Sequence, residues 1–432
     1  MNIRHMGKDI FVIGFALFSM FFGAGNVIFP PYLGLESGSQ WFLGFICYYI
    51  ADIGLALVAL FAIMRRGSTE AIVNRIGKIP SIILMSAIVL CIGPMLAIPR
   101  TAASTYEMSL QPLISGISAP VFSIIFFAVI FLLCVRESAV VDIVGKILTP
   151  VLLIGLLVMI VKGVINPIGS IPSEPKIDNV PATGIAAGYQ TLDALASLIF
   201  GIILLKSAEN KGYSRLKDRV RVVSGAGIVA GIALFIVYLG LTYLGVTTSE
   251  YFDLSVDRAA LVMSIVQRLL GSGGVILFAV VVALACITTA VALVSSASGY
   301  FSDLSGGRLS YPLLCTIICV FSALISNIGL DQIIAIASPI LDVVYPPTLV
   351  LVFLAFFGGR IRNSWIFRIA ALGALISSFL TMLNHYTSLP LSFLDMLPLS
   401  SPGFGWILPA AAGGVIGIFI PYKNDSLAEQ KG

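Results

Sequence analysis

Long runs of apolar residues, separated by short polar segments, extend over nearly the whole chain. An α-helix needs about 20 apolar residues to cross the ~30 Å hydrocarbon core of a bilayer. Runs of this kind cover residues 10–30, 41–64, 80–99, 119–135, 144–162, 187–205, 221–246, 273–300, 311–327, 331–357, 365–384 and 404–422. The pattern predicts an all-α polytopic membrane protein with about twelve transmembrane helices. We expect a single transmembrane domain over residues 1–422 and a short polar tail over residues 423–432.

The composition changes this picture only by strengthening it. Of the 432 residues, 58% are hydrophobic and 11% are charged, whereas soluble domains average about 45–50% apolar and about 25% charged residues. A mean hydropathy of +1.05 therefore requires a lipid bilayer around the protein. The net charge of +4 gives no reason to expect nucleic-acid binding, and nothing implies an obligate protein partner.

The distribution of Lys and Arg predicts the orientation in the membrane. If the N-terminus is cytoplasmic, 20 of the 25 basic residues fall in segments that become cytoplasmic. The five on the other side are Arg100, Lys162, Lys176, Arg258 and Arg268. By the positive-inside rule, both termini and the basic loop over residues 206–221 should be cytoplasmic. The expected location is the inner or plasma membrane of a bacterium.

The first predicted span contains the sequence Gly23-Ala24-Gly25-Asn26 near mid-membrane depth. Each glycine costs about 1 kcal/mol in a helix interior, so this segment favours local unwinding. Freed amides of Ala24, Gly25 and Asn26 would begin a second half-helix, where an anion such as a carboxylate is favoured. The alternative is that the small residues only allow close helix packing.

The sixth predicted span contains Asp193 within an otherwise uncharged stretch. A charge inside the membrane costs at least ~2.5 kcal/mol on insertion scales, so such a residue usually faces a cavity or a partner. The alternative is that Asp193 is hydrated near the outer interface or caps a half-helix.

The separation between these two segments suggests an internal repeat. Spans one and six are the first of each half if the core consists of five plus five helices with two appended. We therefore predict inverted repeats over residues 8–162 and 187–357, with appended helices over residues 365–422. In transporters of this architecture, substrates bind between two discontinuous helices.

A few other polar residues lie in predicted spans. Asp52 and Asp342 are candidates for proton transfer or gating, with structural hydrogen bonding as the alternative. Arg100, at the predicted end of span three, is either a gate or an interface anchor. Thr288 and Thr289 offer adjacent hydroxyls in span eight, although such threonines usually bond to carbonyls of their own helix.

Five short stretches carry a resemblance to a known family. They are residues 22–31, 93–101, 188–196, 284–290 and 345–347. Together they resemble the branched-chain amino acid:cation symporter family, the BrnQ-type carriers, over about residues 8–422. The resemblance implies uptake of leucine, isoleucine or valine, driven by entry of sodium or protons, on a LeuT-like inverted-repeat fold.

The resemblance also implies roles for residues in the two broken spans. By similarity to the unwound segment of that fold, the amides of Ala24 and Gly25 would hold the substrate carboxylate, and Asn26 would lie beside the substrate or an ion. Asp193 departs from the Ser/Gly-rich pattern of sodium:neurotransmitter carriers. We expect Asp193, with Ala194 next to it, to face the substrate ammonium.

A sodium site is implied in the same way. Its ligands would be the carbonyls of Ser19, Phe22 and Ala285 and the hydroxyls of Thr288 and Thr289. Sodium or a proton is then the co-transported ion, and no cofactor is expected.

Other functional classes find less support in the sequence. A channel should show rings of like charge or repeated filter loops, and an intramembrane enzyme needs a nucleophile with a base or a metal triad. The chain has two histidines, and its six cysteines all lie in apolar runs, so neither an enzyme nor a transition-metal site is expected. An exporter or carrier of other small neutral amino acids is the remaining alternative.

Overall fold

The computed structural model describes residues 3–114, 116–135, 140–358, 361–387, 392–394 and 396–421. The predicted tail over residues 423–432 lies outside these ranges. The α-helices within them are α1 (Ile3–Phe21), α2 (Ala24–Ser37), α3 (Trp41–Tyr49), α4 (Leu55–Arg66), α5 (Glu70–Val73), α6 (Lys78–Leu90), α7 (Ala97–Thr105), α8 (Ala119–Val135), α9 (Val140–Ile165), α10 (Val180–Gln190), α11 (Asp193–Asn210), α12 (Leu216–Val246), α13 (Arg258–Leu304), α14 (Tyr311–Ser326), α15 (Leu330–Phe357), α16 (Ser364–Tyr386) and α17 (Ile407–Phe419).

Helices coincide with all twelve predicted spans, and the all-α polytopic class is confirmed. In the described part of the chain, seven helical stretches are long and apolar enough to cross a membrane, and four shorter apolar helices accompany them. One of the seven, Gly25–Arg66, contains the turn Gly38–Gln40 and therefore includes parts of two predicted spans. The number of crossings stays a prediction.

Span three extends further than the sequence suggested. Its predicted end at residue 99 is wrong, because helix continues from α6 through the π-helical turn Cys91–Met95 and α7 to Leu110. Gly93 has non-helical dihedral angles, and Pro94 lacks the amide that would continue the helix, so the stretch bends there. Arg100 is consequently buried inside a helix rather than exposed at the membrane interface.

The helix pair α2 and α12 shows where glycine serves close packing. A Cβ on Gly34 would lie 2.0 Å from the carbonyl oxygen of Thr242, and one on Gly245 would lie 1.9 Å from that of Pro31. These two glycines allow the backbones to touch. A Cβ on Gly23 would meet nothing closer than 3.8 Å, so close packing does not account for Gly23 in the first span.

Contacts between segments outside the predicted spans join segments that are predicted to lie on the same side of the membrane. Lys211 forms an ion pair with Asp9 (3.1 Å), and Arg75 donates to the carbonyl of Ile361 (2.5 Å). Both contacts join segments predicted to be cytoplasmic. Lys176 donates to the carbonyl of Ser249 (3.0 Å), which joins two segments predicted to be external.

Candidate functional site

The first helix break separates α1 from α2 at Phe22 and Gly23, as predicted. The Gly23 amide donates to the Phe21 carbonyl at 2.7 Å. It therefore does not make the helical bond to the Ser19 carbonyl, which is the carbonyl expected to be freed. The helix α2 then starts at Ala24, so the amides of the Ala24–Gly25–Asn26 segment form the N-terminus of a half-helix.

The second break separates α10 from α11 at Thr191 and Leu192. Leu192 has a φ of 70°, in the left-handed region, where a residue other than glycine costs about 1–2 kcal/mol. Its side chain is buried, so the surrounding packing holds it in this conformation. Asp193 is the first residue of α11, where the helix dipole favours a carboxylate. The prediction that Asp193 caps a half-helix and the prediction that it faces a cavity are thus compatible.

Asn26 links the two breaks. Its side-chain amide donates one hydrogen bond to Asp193 Oδ2 and another to the Tyr238 hydroxyl, each at 2.7 Å. All three side chains are buried. The N-termini of α2 and α11 are therefore held against each other, with α12 behind them.

Asp52 joins this cluster from the helix that contains α3 and α4. It lies in the π-helical turn Ile50–Gly54, and π-turns often mark functional positions. The Thr191 hydroxyl oxygen lies 2.7 Å from Asp52 Oδ1 and 2.7 Å from the Gly188 carbonyl oxygen. The Asp52 side chain is fully buried.

Arg100 lies on the opposite side of the second break. Its guanidinium donates to the carbonyls of Gln190 (2.5 Å) and Thr191 (3.4 Å), where the carbonyl end of α10 favours a cation. The same group lies 5.7 Å from the ring centroid of Phe29. A Cβ added at Gly25 would lie 3.1 Å from Arg100 Nη2. Arg100 therefore abuts the start of α2 as well as the end of α10.

A cavity of about 430 Å³, including its open part, lies between the two breaks. Gly25, Asn26, Arg100, Asp193 and Thr289 are among its lining residues, so five of the residues predicted from the sequence share one space. The remainder of the lining consists of Met20, Phe21, Gly23, Ile92, Ala97, Thr101, Thr191, Leu192, Ala196, Phe200 and Leu293. The cavity thus combines charges of both signs with an apolar wall.

The aromatic rings of Tyr189 and Tyr345 stack between α10 and α15 with centroids 4.3 Å apart. Both side chains are buried. Tyr189 precedes Gln190, whose carbonyl Arg100 binds. The stack therefore packs the segment next to the cavity against α15.

The predicted sodium ligands lie in part around the first break. The Thr288 hydroxyl donates to the Ala285 carbonyl at 2.9 Å. A threonine in a membrane helix commonly makes such a bond to a carbonyl of its own helix. Two of the predicted sodium ligands therefore lie next to each other. The Thr289 methyl group would lie 3.8 Å from a Cβ on Gly23. The ring of Phe22 stacks on that of Tyr238.

Seven of the predicted site residues are not among those that line the cavity in the described part of the chain: Ser19, Phe22, Asp52, Ala194, Ala285, Thr288 and Asp342. Ala194 is buried next to Asp193. Asp342 lies on α15. The proposed gating role of Asp342 therefore has no contact with the cavity to support it.

Three members of the cluster were not assigned a role from the sequence: Tyr48, Thr191 and Tyr238. Tyr48 contacts the ring of Tyr238 with centroids 5.7 Å apart, and it precedes Asp52 by one helical turn, which is a usable signal. Thr191 lies two residues before Asp193. Tyr238 is 212 residues from its partner Asn26, and no local pattern distinguishes it from other tyrosines in apolar spans.

Comparison with known proteins decides the family. The family model described as "Branched-chain amino acid transport protein" matches residues 6–424. The chain belongs to this family. It is 35% identical over 423 residues to the branched-chain amino acid permease BraB of Bacillus subtilis strain 168, with 95% of each chain covered. It is 32% identical over 421 residues to the permease BrnQ of Escherichia coli K12, again with 95% of each covered.

Solved structures confirm the fold. Mhp1, a nucleobase-cation-symport-1 family transporter in a closed conformation with bromovinylhydantoin bound, matches with a TM-score of 0.67 at 13% identity, over 95% of this chain and 91% of Mhp1. MhsT in complex with L-phenylalanine matches with a TM-score of 0.56 at 16% identity, over 94% of this chain and 97% of MhsT. The family resemblance and the LeuT-like fold predicted from the sequence are both confirmed. The prediction that the protein is a transporter and not an enzyme is confirmed by its membership of a transport family.

Proposed function

We propose that the protein imports leucine, isoleucine and valine across the bacterial cell membrane by alternating access, coupled to entry of sodium or protons. Family membership and the names of the relatives support a branched-chain amino acid as the substrate. The excess of basic residues in alternate loops supports cytoplasmic termini.

The observation that carries the proposal is the pairing of opposite charges in one cavity between two helix breaks. Arg100 and the amides at the start of α2 present positive charge, and Asp193 presents negative charge. A zwitterionic amino acid carries a carboxylate and an ammonium group on one carbon. Its carboxylate would lie against Gly25 and Arg100, and its ammonium group against Asp193.

The apolar wall of the cavity supports an aliphatic side chain. Met20, Ile92, Phe200 and Leu293 line it, and no charged residue belongs to this wall among the residues that the structure describes. A hydrophobic pocket discriminates by only about 1–3 kcal/mol per methylene. We therefore expect leucine, isoleucine and valine to compete with one another, and we expect lysine and glutamate to be excluded.

Uptake of radiolabelled leucine into proteoliposomes tests this function. The expected result is accumulation above equilibrium when a sodium or proton gradient is directed inward, with inhibition by unlabelled isoleucine and valine. Uptake that only equilibrates under either gradient would contradict coupled transport. Accumulation of other small amino acids to the exclusion of leucine would contradict the substrate class.

A further inference from the structure

We propose that the adjoining starts of helices α6 and α16 bind an anionic phospholipid, whose phosphate lies beside Arg368. This site is separate from the substrate cavity and depends neither on the substrate nor on the coupling ion. Three features meet there: basic side chains without acidic partners, an uncapped helix N-terminus, and apolar side chains that are exposed along both helices.

Two connections that are distant in the sequence touch each other at this point. Arg75, in the connection between α4 and α6, donates to the carbonyl of Ile361 at 2.5 Å, and its guanidinium carbon lies 4.5 Å from the ring centroid of Phe367. A Cβ on Gly77 would lie 3.7 Å from Arg368 Nη2. The turn that precedes α6 is therefore held against the first turns of α16.

The two connections carry an excess of positive charge. Over residues 65–78 and 361–368 there is one acidic residue, Glu70, and there are six basic residues, namely Arg65, Arg66, Arg75, Lys78, Arg362 and Arg368. In the part of the chain that the structure describes, none of the ion pairs includes Arg66, Arg362 or Arg368.

The predicted cytoplasmic loop over residues 206–221 behaves differently. There, Lys211 pairs with Asp9 at 3.1 Å and Arg219 pairs with Glu209 at 2.8 Å. The positive-inside rule accounts for basic residues in both places, but it does not account for guanidinium groups that lack a carboxylate beside α16. An anion from outside the chain would supply the missing negative charge.

The N-terminus of α6 offers further donors to the same anion. Its N-cap residue is Gly77, which has no side chain to accept hydrogen bonds from the first amides of the helix. Such amides and the helix dipole favour a phosphate group. The N-terminus of α16 is different, because the side chain of Asn363 accepts a hydrogen bond from the Trp365 amide at 2.9 Å. The phosphate is therefore placed between α6 and Arg368.

Exposed apolar side chains continue from Arg368 along both helices. Positions three or four residues apart share one face of a helix, and the face of α16 that carries Arg368 also carries Trp365, Leu372, Ile376 and Phe379, which are between 37% and 51% exposed. On α6, Ile79 and Ile83 are 71% and 64% exposed. A phospholipid has one phosphate and two acyl chains, which matches one basic site with an apolar track on each of two helices.

The charge balance favours an anionic lipid over a zwitterionic one. A zwitterionic headgroup brings its own cation, whereas phosphatidylglycerol brings a net negative charge. Each basic residue near the membrane surface favours an anionic lipid by about fivefold. Arg368 also lies 4.9 Å from the ring centroid of Trp365, and tryptophan is common at the headgroup level of membranes.

Quenching of Trp365 fluorescence by brominated phospholipids tests the site. The chain has three tryptophans, so Trp41→Phe and Trp406→Phe leave Trp365 as the reporter in the reconstituted full-length protein. Brominated phosphatidylglycerol should bind next to Trp365 at least about fivefold more strongly than brominated phosphatidylcholine. Arg368→Gln should lower this preference by about fivefold. Arg308→Gln, at an exposed position in another predicted cytoplasmic segment, should keep it.

Thermal unfolding of the parent protein in detergent gives a second measurement that needs no tryptophan substitution. Phosphatidylglycerol should raise the unfolding temperature more than phosphatidylcholine does, because a ligand that binds only the folded state stabilises it. The difference should shrink in Arg368→Gln. Equal quenching of Trp365 by the two lipids, or an undiminished preference in Arg368→Gln, would overturn the proposal. A preference that millimolar inorganic phosphate abolishes would assign the site to a free anion and would overturn the lipid as its occupant.

Discussion

The side-chain amide of Asn26 donates a 2.7 Å hydrogen bond to the carboxyl group of Asp193, and this bond joins the two broken helices. The residues are 167 positions apart in the sequence, and each is in the first turn of a half-helix. The bond therefore fixes the relative position of the two helix N-termini that border the cavity.

Asn26→Ala should impair leucine transport by removing this bond. A hydrogen bond to a charged group contributes about 1.5–3 kcal/mol, so leucine affinity should fall by one to two orders of magnitude. Binding to the purified variant measures the change. Asn327→Ala, at an exposed helix end, is the matched control and should bind leucine like the parent. Equal affinity in both variants would show that the link between the breaks is not needed for binding.

Arg100→Lys should also weaken leucine binding by at least about tenfold, although it preserves the charge. A lysine ammonium is a point charge and cannot replace the planar guanidinium that contacts two carbonyls and packs over Phe29. Arg308→Lys, at an exposed position, serves as the control. Normal leucine affinity in Arg100→Lys would mean that the guanidinium only supports the fold.

Gly25→Leu should abolish leucine binding while expression and membrane insertion persist. A Cβ at Gly25 would already lie 3.1 Å from Arg100 Nη2 and from Phe29 Cε2, so a longer side chain fills the space where the substrate carboxylate would approach. Gly155→Leu carries the same substitution at a position where a Cβ would meet nothing within 4 Å. Unchanged leucine affinity in Gly25→Leu would place the binding site elsewhere.

Local sequence patterns were sufficient for the helices and for the first break. The Gly-Ala-Gly-Asn segment predicted the interruption because glycine weakens a helix wherever it occurs. Asp193 could be recognised because a charge in an apolar stretch needs a partner or a cavity.

The assumption that a charged residue marks the end of an apolar span gave the wrong location for Arg100. The predicted span ended at the first charged residue, whereas the structure continues the helix and satisfies the guanidinium with carbonyls of the second break. That partner is about 90 residues distant and exists only in the folded protein. Tyr238 was missed for the same reason, since its bond to Asn26 leaves no trace in the local sequence.

Substitution of both Thr288 and Thr289 by valine tests the predicted sodium site. Valine keeps the shape and removes the hydroxyl, so loss of ion ligands should raise the apparent leucine constant at low sodium, with partial recovery at high sodium. Ion and substrate share a coupling free energy of about 1–3 kcal/mol in such systems, so the expected shift is about 5–150-fold. Uptake is measured against sodium concentration at fixed pH. Sodium-independent uptake by the parent protein would contradict the sodium assignment.

Substrate protection of a cysteine in the cavity tests the central claim most directly. Met20 lines the cavity and is partly accessible, so Met20→Cys is introduced into a variant that lacks the six native cysteines. The rate of maleimide labelling is then measured on purified protein with and without amino acids, and Asp303→Cys provides an exposed reference position. The account predicts that leucine, isoleucine and valine slow labelling of Cys at position 20, that lysine does not, and that the reference position is unaffected. Labelling at position 20 that is equally fast with and without saturating leucine, in a variant that still transports leucine, would contradict a binding site between the two broken helices.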